Sequence, residues 1–197
     1  MNSKYYESRE FYDRVKPMLK KRLGEEKYQH SVSVSKTALK LARLYNVNEG
    51  QARAAGLLHD WNKEISDAKN IRIAKKAKLD LPHEYLETMP HMLHGPTAAV
   101  TLGRKFPNMS PKILKAISLH TSAGVEMSDL DKLIYCADAL EPLRGVPILD
   151  AIRKKASKIS LDELLVECMK ATLNSLLARR REIHPQTVII WNHHVKN

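Results

Sequence analysis

The dipeptide His59-Asp60, set in Ala54-Ala55-Gly56-Leu57-Leu58-His59-Asp60-Trp61-Asn62-Lys63, puts an imidazole beside a carboxylate near the end of what reads as a buried helix. Successive helical residues project about 100° apart, so the pair can grip a cation lying over that edge of the helix from two directions. Further ligands must come from elsewhere. His30 upstream and His94, His120 and Asp138 downstream each fall in a segment with helical apolar spacing, giving the order H, HD, H, H, D. A single His-Asp pair recurs by chance, whereas six such residues in order, each on a recognisable helix, form a much more specific pattern. Imidazole and carboxylate donors without thiolate suit iron, manganese, zinc or related divalent ions. Two such ions close together can share a hydroxide that is nucleophilic near neutral pH, which is most of what phosphoanhydride hydrolysis needs.

The elements that must position these residues read as helices. The spacing predicts a first helix from Tyr6 to Leu23, stopped by Gly24 in a left-handed conformation. A second runs from about Glu25 to Tyr45, with His30, Val34, Ala38, Leu41 and Tyr45 on one face. Asn48 and Gln51 form a capping pair for a third, which carries Ala52, Ala55, His59 and Asn62 on one face and Leu58, Trp61 and Ile65 beside it. In that helix Ala54, Ala55 and Gly56 are small enough for neighbours to approach closely. Ser66-Asp67 opens a Lys-rich helix to about Lys78 and Leu81-Pro82 a short one ending near Thr88, together a surface excursion. Between Met89 and Phe106, Pro96 suits a first helical turn and sets His94 at a helix entry. Ser110-Pro111 opens a helix through Ile113, Leu114 and Ile117 that ends at His120. After a loop at Ala123-Gly124, Ser128 begins a helix with Leu130, Leu133, Ile134, Ala137 and Asp138, where an inward carboxylate needs a partner or a metal. Ser160 and Glu163 form a capping box for Leu161 to Arg180, whose apolar face is Leu164, Leu165, Cys168, Leu173, Leu176 and Leu177. With no useful alternating strand pattern, the fold class is all-α: a helical bundle with a metal site between helices.

Composition narrows the class. The chain is 43% hydrophobic and 28% charged, ordinary values that argue against disorder and for one domain over residues 1–197. Lys and Arg number 33 against 22 Asp and Glu, and the resulting +11 is spread along the chain, favouring nucleotide polyphosphates and nucleic acid alike. Cys136 and Cys168 are too few for a disulfide framework or a Cys-based zinc site and read as core thiols in a reducing compartment. The stretch Met1-Asn2-Ser3-Lys4-Tyr5-Tyr6-Glu7 has no apolar signal region and no run spans a bilayer, so a cytoplasmic protein without a membrane partner is expected. A homodimer is compatible with the sequence.

The set His30, His59-Asp60 and Asp138 resembles the HD-superfamily metal-dependent phosphohydrolases, and His94 with His120 resembles the two-metal form of that site. Lys27-Tyr28-Gln29-His30-Ser31, Leu93-His94-Gly95-Pro96, Ala137-Asp138-Ala139-Leu140-Glu141-Pro142-Leu143-Arg144 and Ile183-His184-Pro185-Gln186-Thr187 extend the likeness to the YqeK-type symmetrical diadenosine tetraphosphate hydrolases. It runs from about Lys20 to Trp191. The resemblance implies an HD core over about 25–145, with C-terminal helices over about 148–194 completing the nucleotide site. It implies that His30, His59, Asp60 and Asp138 hold one metal and that Asp60 bridges to a second held by His94 and His120, with one or two iron ions expected. Asp60, Lys63, His94 and His120 are the implied catalytic group. Lys27, Lys63, His94, His120, Arg144, Arg181, Ile183, His184 and Gln186 are the implied nucleotide contacts.

Three positions depart from the family's pattern. Lys27 replaces the usual Arg, exchanging a bidentate grip for a point charge. Ala139 replaces an aromatic, and His120-Thr121-Ser122-Ala123-Gly124 is a variant of HTTG. The implied reaction is hydrolysis of diadenosine tetraphosphate to two ADP by a metal-activated hydroxide. The alternatives are an HD phosphohydrolase acting on a deoxynucleoside triphosphate, a guanosine alarmone or a cyclic dinucleotide, and a non-catalytic basic module binding nucleotides or nucleic acid. The intact ligand set argues against the last. His83, His91, His193 and His194 read as surface residues, Tyr28 and Trp61 as packing.

Overall fold

Short polar side chains fix where many of the helices begin. In the computed structural model, which describes residues 3–196, Ser8, Asn48, Ser66, Ser128 and Ser160 each accept a hydrogen bond from the amide three residues on. Such caps satisfy amides that have no partner inside the helix. Pro111, Pro147 and Pro185 open three further helices, where a missing N–H costs nothing. The helices are α1 (Arg9–Lys20), α2 (Glu25–Leu44), α3 (Glu49–Leu58), α4 (Asp67–Lys76), α5 (Glu84–Glu87) and α6 (His94–Lys105). They continue with α7 (Pro111–Leu119), α8 (Asp129–Leu140), α9 (Pro147–Lys155), α10 (Leu161–Ala178) and α11 (Pro185–His194). No strand occurs among the described residues, and the fold is all-α. Residues 1, 2 and 197 of the unit expected over 1–197 lie outside the described residues. No described helix is long and apolar enough to cross a membrane.

The centre of the bundle is α2 against α3 and α8, with α7 joining α3, α6 and α8, and α10 packed on the outer side of α8. Val34, Ala38, Leu57, Leu58, Ile117 and Leu133 are wholly buried there. Glycine sets the closest approach: a Cβ on Gly56 would stand 3.0 Å from the Ser35 Cα and 3.1 Å from the Ala38 Cβ. Cys136 and Cys168 are buried free thiols. Tyr28 and Trp61 are core residues.

Several expectations need correction. Gly24 does not stop α1 in a left-handed conformation; at φ −60° it is the N-cap of α2, and α1 ends at Lys20. Only half of the Asn48-Gln51 pair forms: the Gln51 backbone amide donates to Asn48 Oδ1, while the Gln51 side chain is turned to Glu7, donating from Nε2 to Oε1 at 2.9 Å. The third helix ends at Leu58, so His59, Asn62 and Ile65 lie beyond it in tight turns. The 67–93 region is more than a surface excursion, since Ala74, Tyr85 and Leu93 form a buried cluster of their own. At the far end, α10 stops at Ala178 with Arg180 in the left-handed region, and Leu177 is 62% exposed despite its apolar register. Of the histidines expected at the surface, His193 and His194 are half-buried, and His194 donates from Nε2 to the Gly124 carbonyl at 2.8 Å.

Candidate metal centre and its cleft

Most of the expected ligands stand at helix ends. His59 and Asp60 follow the last residue of α3, His94 opens α6, His120 follows α7, Asp138 is in the last turn of α8, and His30 lies in the second turn of α2. The turn beyond Leu58 is fixed from outside. Arg22 stacks over the Trp61 ring, donates to the Trp61 carbonyl and reaches Asn62 Oδ1 at 2.7 Å. Asn62 in turn donates to Thr101 Oγ1 at 3.0 Å, joining the His59-Asp60 turn to α6. Gly95 lets the start of α6 close on His120, because a Cβ there would meet Ser118 O and Thr121 Oγ1 at 3.0 Å.

Three imidazoles are oriented by their own backbone. His59, His94 and His120 each aim Nδ1 at the carbonyl three residues earlier: Gly56 at 2.8 Å, His91 at 2.6 Å and Ile117 at 2.7 Å. A carbonyl can only accept, so Nδ1 carries the proton and Nε2 offers a lone pair to the centre. His30 is oriented by Glu141 instead, with Nδ1 3.2 Å from Oε1. A carboxylate or carbonyl behind the ring is the usual way a ligating histidine is held in one tautomer.

The two oxygens of Asp60 face different pairs of rings. Oδ2 lies 3.6 Å from His59 Nε2 and 4.0 Å from His30 Nε2, while Oδ1 lies 3.1 Å from His94 Nε2 and 3.5 Å from His120 Nε2. Asp138 Oδ1 joins the first group, 3.0 Å from His30 Nε2 and 3.8 Å from His59 Nε2. Ligand atoms of His30, His59 and Asp138, and of His59, Asp60 and His120, fall within 4.8 Å of one another. Asp60 Oδ1 is buried and finds no hydrogen-bond donor, although two imidazole nitrogens are near, because their protons sit on the opposite nitrogen. Buried lone pairs converging in this way require positive charge between them. The His/Asp donor set fits divalent cations.

Burial, outweighing the neighbouring Asp60, holds His59 down to about 4 and also lowers His94, which keeps both rings neutral and able to ligate. Burial works against charge on Asp60 and Asp138 as well. There it is overcome, by Lys63 beside Asp60 and by His30 and Arg144 around Asp138, so both carboxyls ionise more readily than usual. At His30 burial is likewise outweighed, by Asp138 and Asp60, and the pKa is raised.

A cleft of about 1060 Å³ opens over this centre, with Lys27, Lys63, Thr121 and Arg144 among its lining residues. Lys63 Nζ stands 3.2 Å from His94 Nε2 and 3.8 Å from Asp60 Oδ1. Lys27 is paired with Glu64 at 2.7 Å, and the other Glu64 oxygen accepts from the Gly24 amide at 2.6 Å. Arg144 donates to both the carbonyl and the carboxylate of Asp138, at 2.7 and 2.6 Å. Arg181, Ile183, His184 and Gln186 are not among the lining residues. His184 is buried as the N-cap of α11, accepting from the Gln186 amide at 3.0 Å, with its ring against Tyr85 and Nε2 3.4 Å from Glu84 Oε2. Arg181 is exposed, and Ile183 and Gln186 are half-buried.

Sequence reasoning gave no role to Glu141 or Thr121. Glu141 is 1% exposed, orients His30 and accepts from the Leu143 amide at 2.9 Å; its signal was a second acid one turn after Asp138. Thr121 Oγ1 lies 3.2 Å from both His94 Nε2 and His120 Nε2, signalled only by adjacency to His120.

The chain matches the HD domain family over residues 28–143. It is 31% identical to the symmetrical bis(5'-nucleosyl)-tetraphosphatase of Staphylococcus aureus, over 92% of this chain and 93% of that protein. Its identity to the protein of the same name from Bacillus subtilis is 32%, over 88% of this chain and 92% of the relative. A crystal structure from Clostridium acetobutylicum, of a "predicted HD superfamily hydrolase involved in NAD metabolism", is similar with a TM-score of 0.85 and 32% identity, covering 94% of this chain and 97% of that one.

Proposed function

The chain belongs to the HD-domain family, and we propose that it hydrolyses diadenosine tetraphosphate symmetrically, to two ADP, at a two-cation centre divided by Asp60. The observation that carries the reading is the split of the Asp60 carboxylate, one oxygen toward His59 and His30, the other toward His94 and His120. Relatives aligned over about nine-tenths of the chain are named for this activity. His30, His59, Asp60 and Asp138 would hold one cation, and Asp60, His94 and His120 the second. Bound there, the cations would neutralise phosphate charge and bring the pKa of water toward neutrality. The donor set fits iron, the metal we assign, as it fits manganese or zinc.

The chain's own groups do the rest. Lys63 sits beside the second cation's ligands, where its ammonium meets a phosphate oxygen and stabilises the departing diphosphate. Arg144 clamps phosphate from the Asp138 side. Lys27 adds a point charge at the rim and α10 completes the cleft, whereas the Arg181 to Gln186 segment, anchored by His184 against α5, stands outside the lining. We place the reaction in the cytoplasm, where Cys136 and Cys168 remain thiols.

The test is product analysis with anaerobically purified protein and an Asp60→Ala control. ADP as sole product from diadenosine tetraphosphate, with no turnover by the variant, is expected. Turnover of a deoxynucleoside triphosphate, a guanosine alarmone or a cyclic dinucleotide in its place would redirect the substrate and leave the centre standing.

A further inference from the structure

Behind the His/Asp centre lies a second polar network, which supplies no ligand. Asn62, Asn70 and Thr97 are at most 2% exposed, and every one of them is hydrogen-bonded. The Asn62 amide is fully engaged: Oδ1 accepts from Arg22 at 2.7 Å, and Nδ2 donates to Thr97 Oγ1 at 3.2 Å and to Thr101 Oγ1 at 3.0 Å. Thr97 Oγ1 has one proton and two acceptors within reach, Asn70 Oδ1 of α4 and the Leu93 carbonyl at 2.8 Å. A buried network with its groups paired in this way fixes one arrangement of the elements that carry it.

The elements it fixes are those on either side of one ligand pair. Asn62 lies two residues after Asp60, and Thr97 lies one helical turn after His94, bonded back to the residue that precedes it. Across this link Asp60 Oδ1 meets His94 Nε2 at 3.1 Å. The other ligands are oriented without it: His30 by Glu141, His59 by the Gly56 carbonyl and Asp138 by Arg144. Neither Asn62 nor Thr97 lines the cleft, so any effect they have on the reaction passes through Asp60 and His94.

We propose that Asn62 and Thr97 are positioning residues that set the spacing between Asp60 and His94, and that this bond decides whether the second cation is held while leaving the first unaffected. The inference rests on the reading of the centre as a two-cation site. A hydrogen bond one step behind the ligands acts on metal affinity by holding the ligand atoms at the separation the ion requires. Without the Thr97 hydroxyl one Asn62 N–H loses its acceptor in a buried site, and the Asp60 turn is released from the start of α6.

The experiment titrates full-length protein anaerobically with iron(II) and reads both binding constants, with circular dichroism as the check on folding. Thr97→Val keeps the shape and removes the hydroxyl; affinity for the second ion falls about 10- to 100-fold, and affinity for the first is unchanged. Thr97→Ser restores the hydroxyl and binds both ions within about threefold of wild type. Thr101→Val deletes a neighbouring hydroxyl but spares the bond to Thr97, and it too stays within about threefold. Thr97→Ala, which adds no methyl to the buried site, repeats the test should the valine variant not fold. Two ions bound by Thr97→Val or Thr97→Ala as tightly as by wild type overturn the proposal. So does an equal loss of both ions, or the same loss in Thr97→Ser or Thr101→Val. A wild type that takes up a single ion refutes the two-cation reading itself, whereas a wild type with two ions and unaltered variants refutes only the role of this network.

Discussion

His59, Asp60, His94 and His120 on the cleft floor are at most 4% exposed, whereas Lys27, Lys63 and Arg144 at its rim keep about two-fifths of their side chains in solvent. On the floor, three rings are fixed by carbonyls within their own helical turns, contacts that need no distant partner. At the rim, the cations are held by carboxylates that they share with something else: Lys27 with Glu64, Arg144 with Asp138. The floor is thus prepared for charge before any ligand arrives, which is what a centre needs if reorganisation is not to add to the barrier. The rim can exchange a carboxylate for a phosphate at little cost, because half-exposed ion pairs are weak.

Three substitutions sharpen this contrast. The largest effect belongs to Asp60→Asn, which keeps the shape but removes the charge that both ring pairs face. Turnover should fall on the order of 10³-fold or more and metal content below that of wild type, read by steady-state kinetics and elemental analysis. Lys63→Met is intermediate: kcat/KM should fall about 10- to 100-fold, the size of a charge-assisted contact, with metal content unchanged. Loss of metal in that variant would move Lys63 from rim to floor. Glu64→Gln is the smallest. Releasing Lys27 from a pair that is 44 and 32% exposed should change KM by less than about threefold, and a tenfold change would make the rim as preorganised as the floor.

The same contrast explains what the sequence made legible. His94 and His120 stand where Pro96 and Pro111 announce helices, and Asp138 keeps the register of Leu130 and Ile134, so types and local periodicity were enough to place them. The end of α3 was not legible. Leu58, Trp61 and Ile65 keep helical spacing, and the chain turns there through bonds from Arg22, thirty-nine residues from Trp61, to that carbonyl and to Asn62. Gly24 looks the same in sequence whether it ends one helix or begins the next; its φ of −60° decides for the second. Lys27 and Glu64 are 37 residues apart, and no local pattern pairs them. Leu177 shows the converse: its apolar register is correct for α10, yet it is 62% exposed.

The central claim is that Asp60 divides two cation sites. Anomalous diffraction from crystals of anaerobically prepared, metal-loaded protein tests it directly. Two peaks are expected, one on the Oδ2 side among His30, His59 and Asp138 and one on the Oδ1 side between His94 and His120. A single peak shared by His30, His59, Asp60 and Asp138, with His94 and His120 bound only to solvent or phosphate, would contradict it.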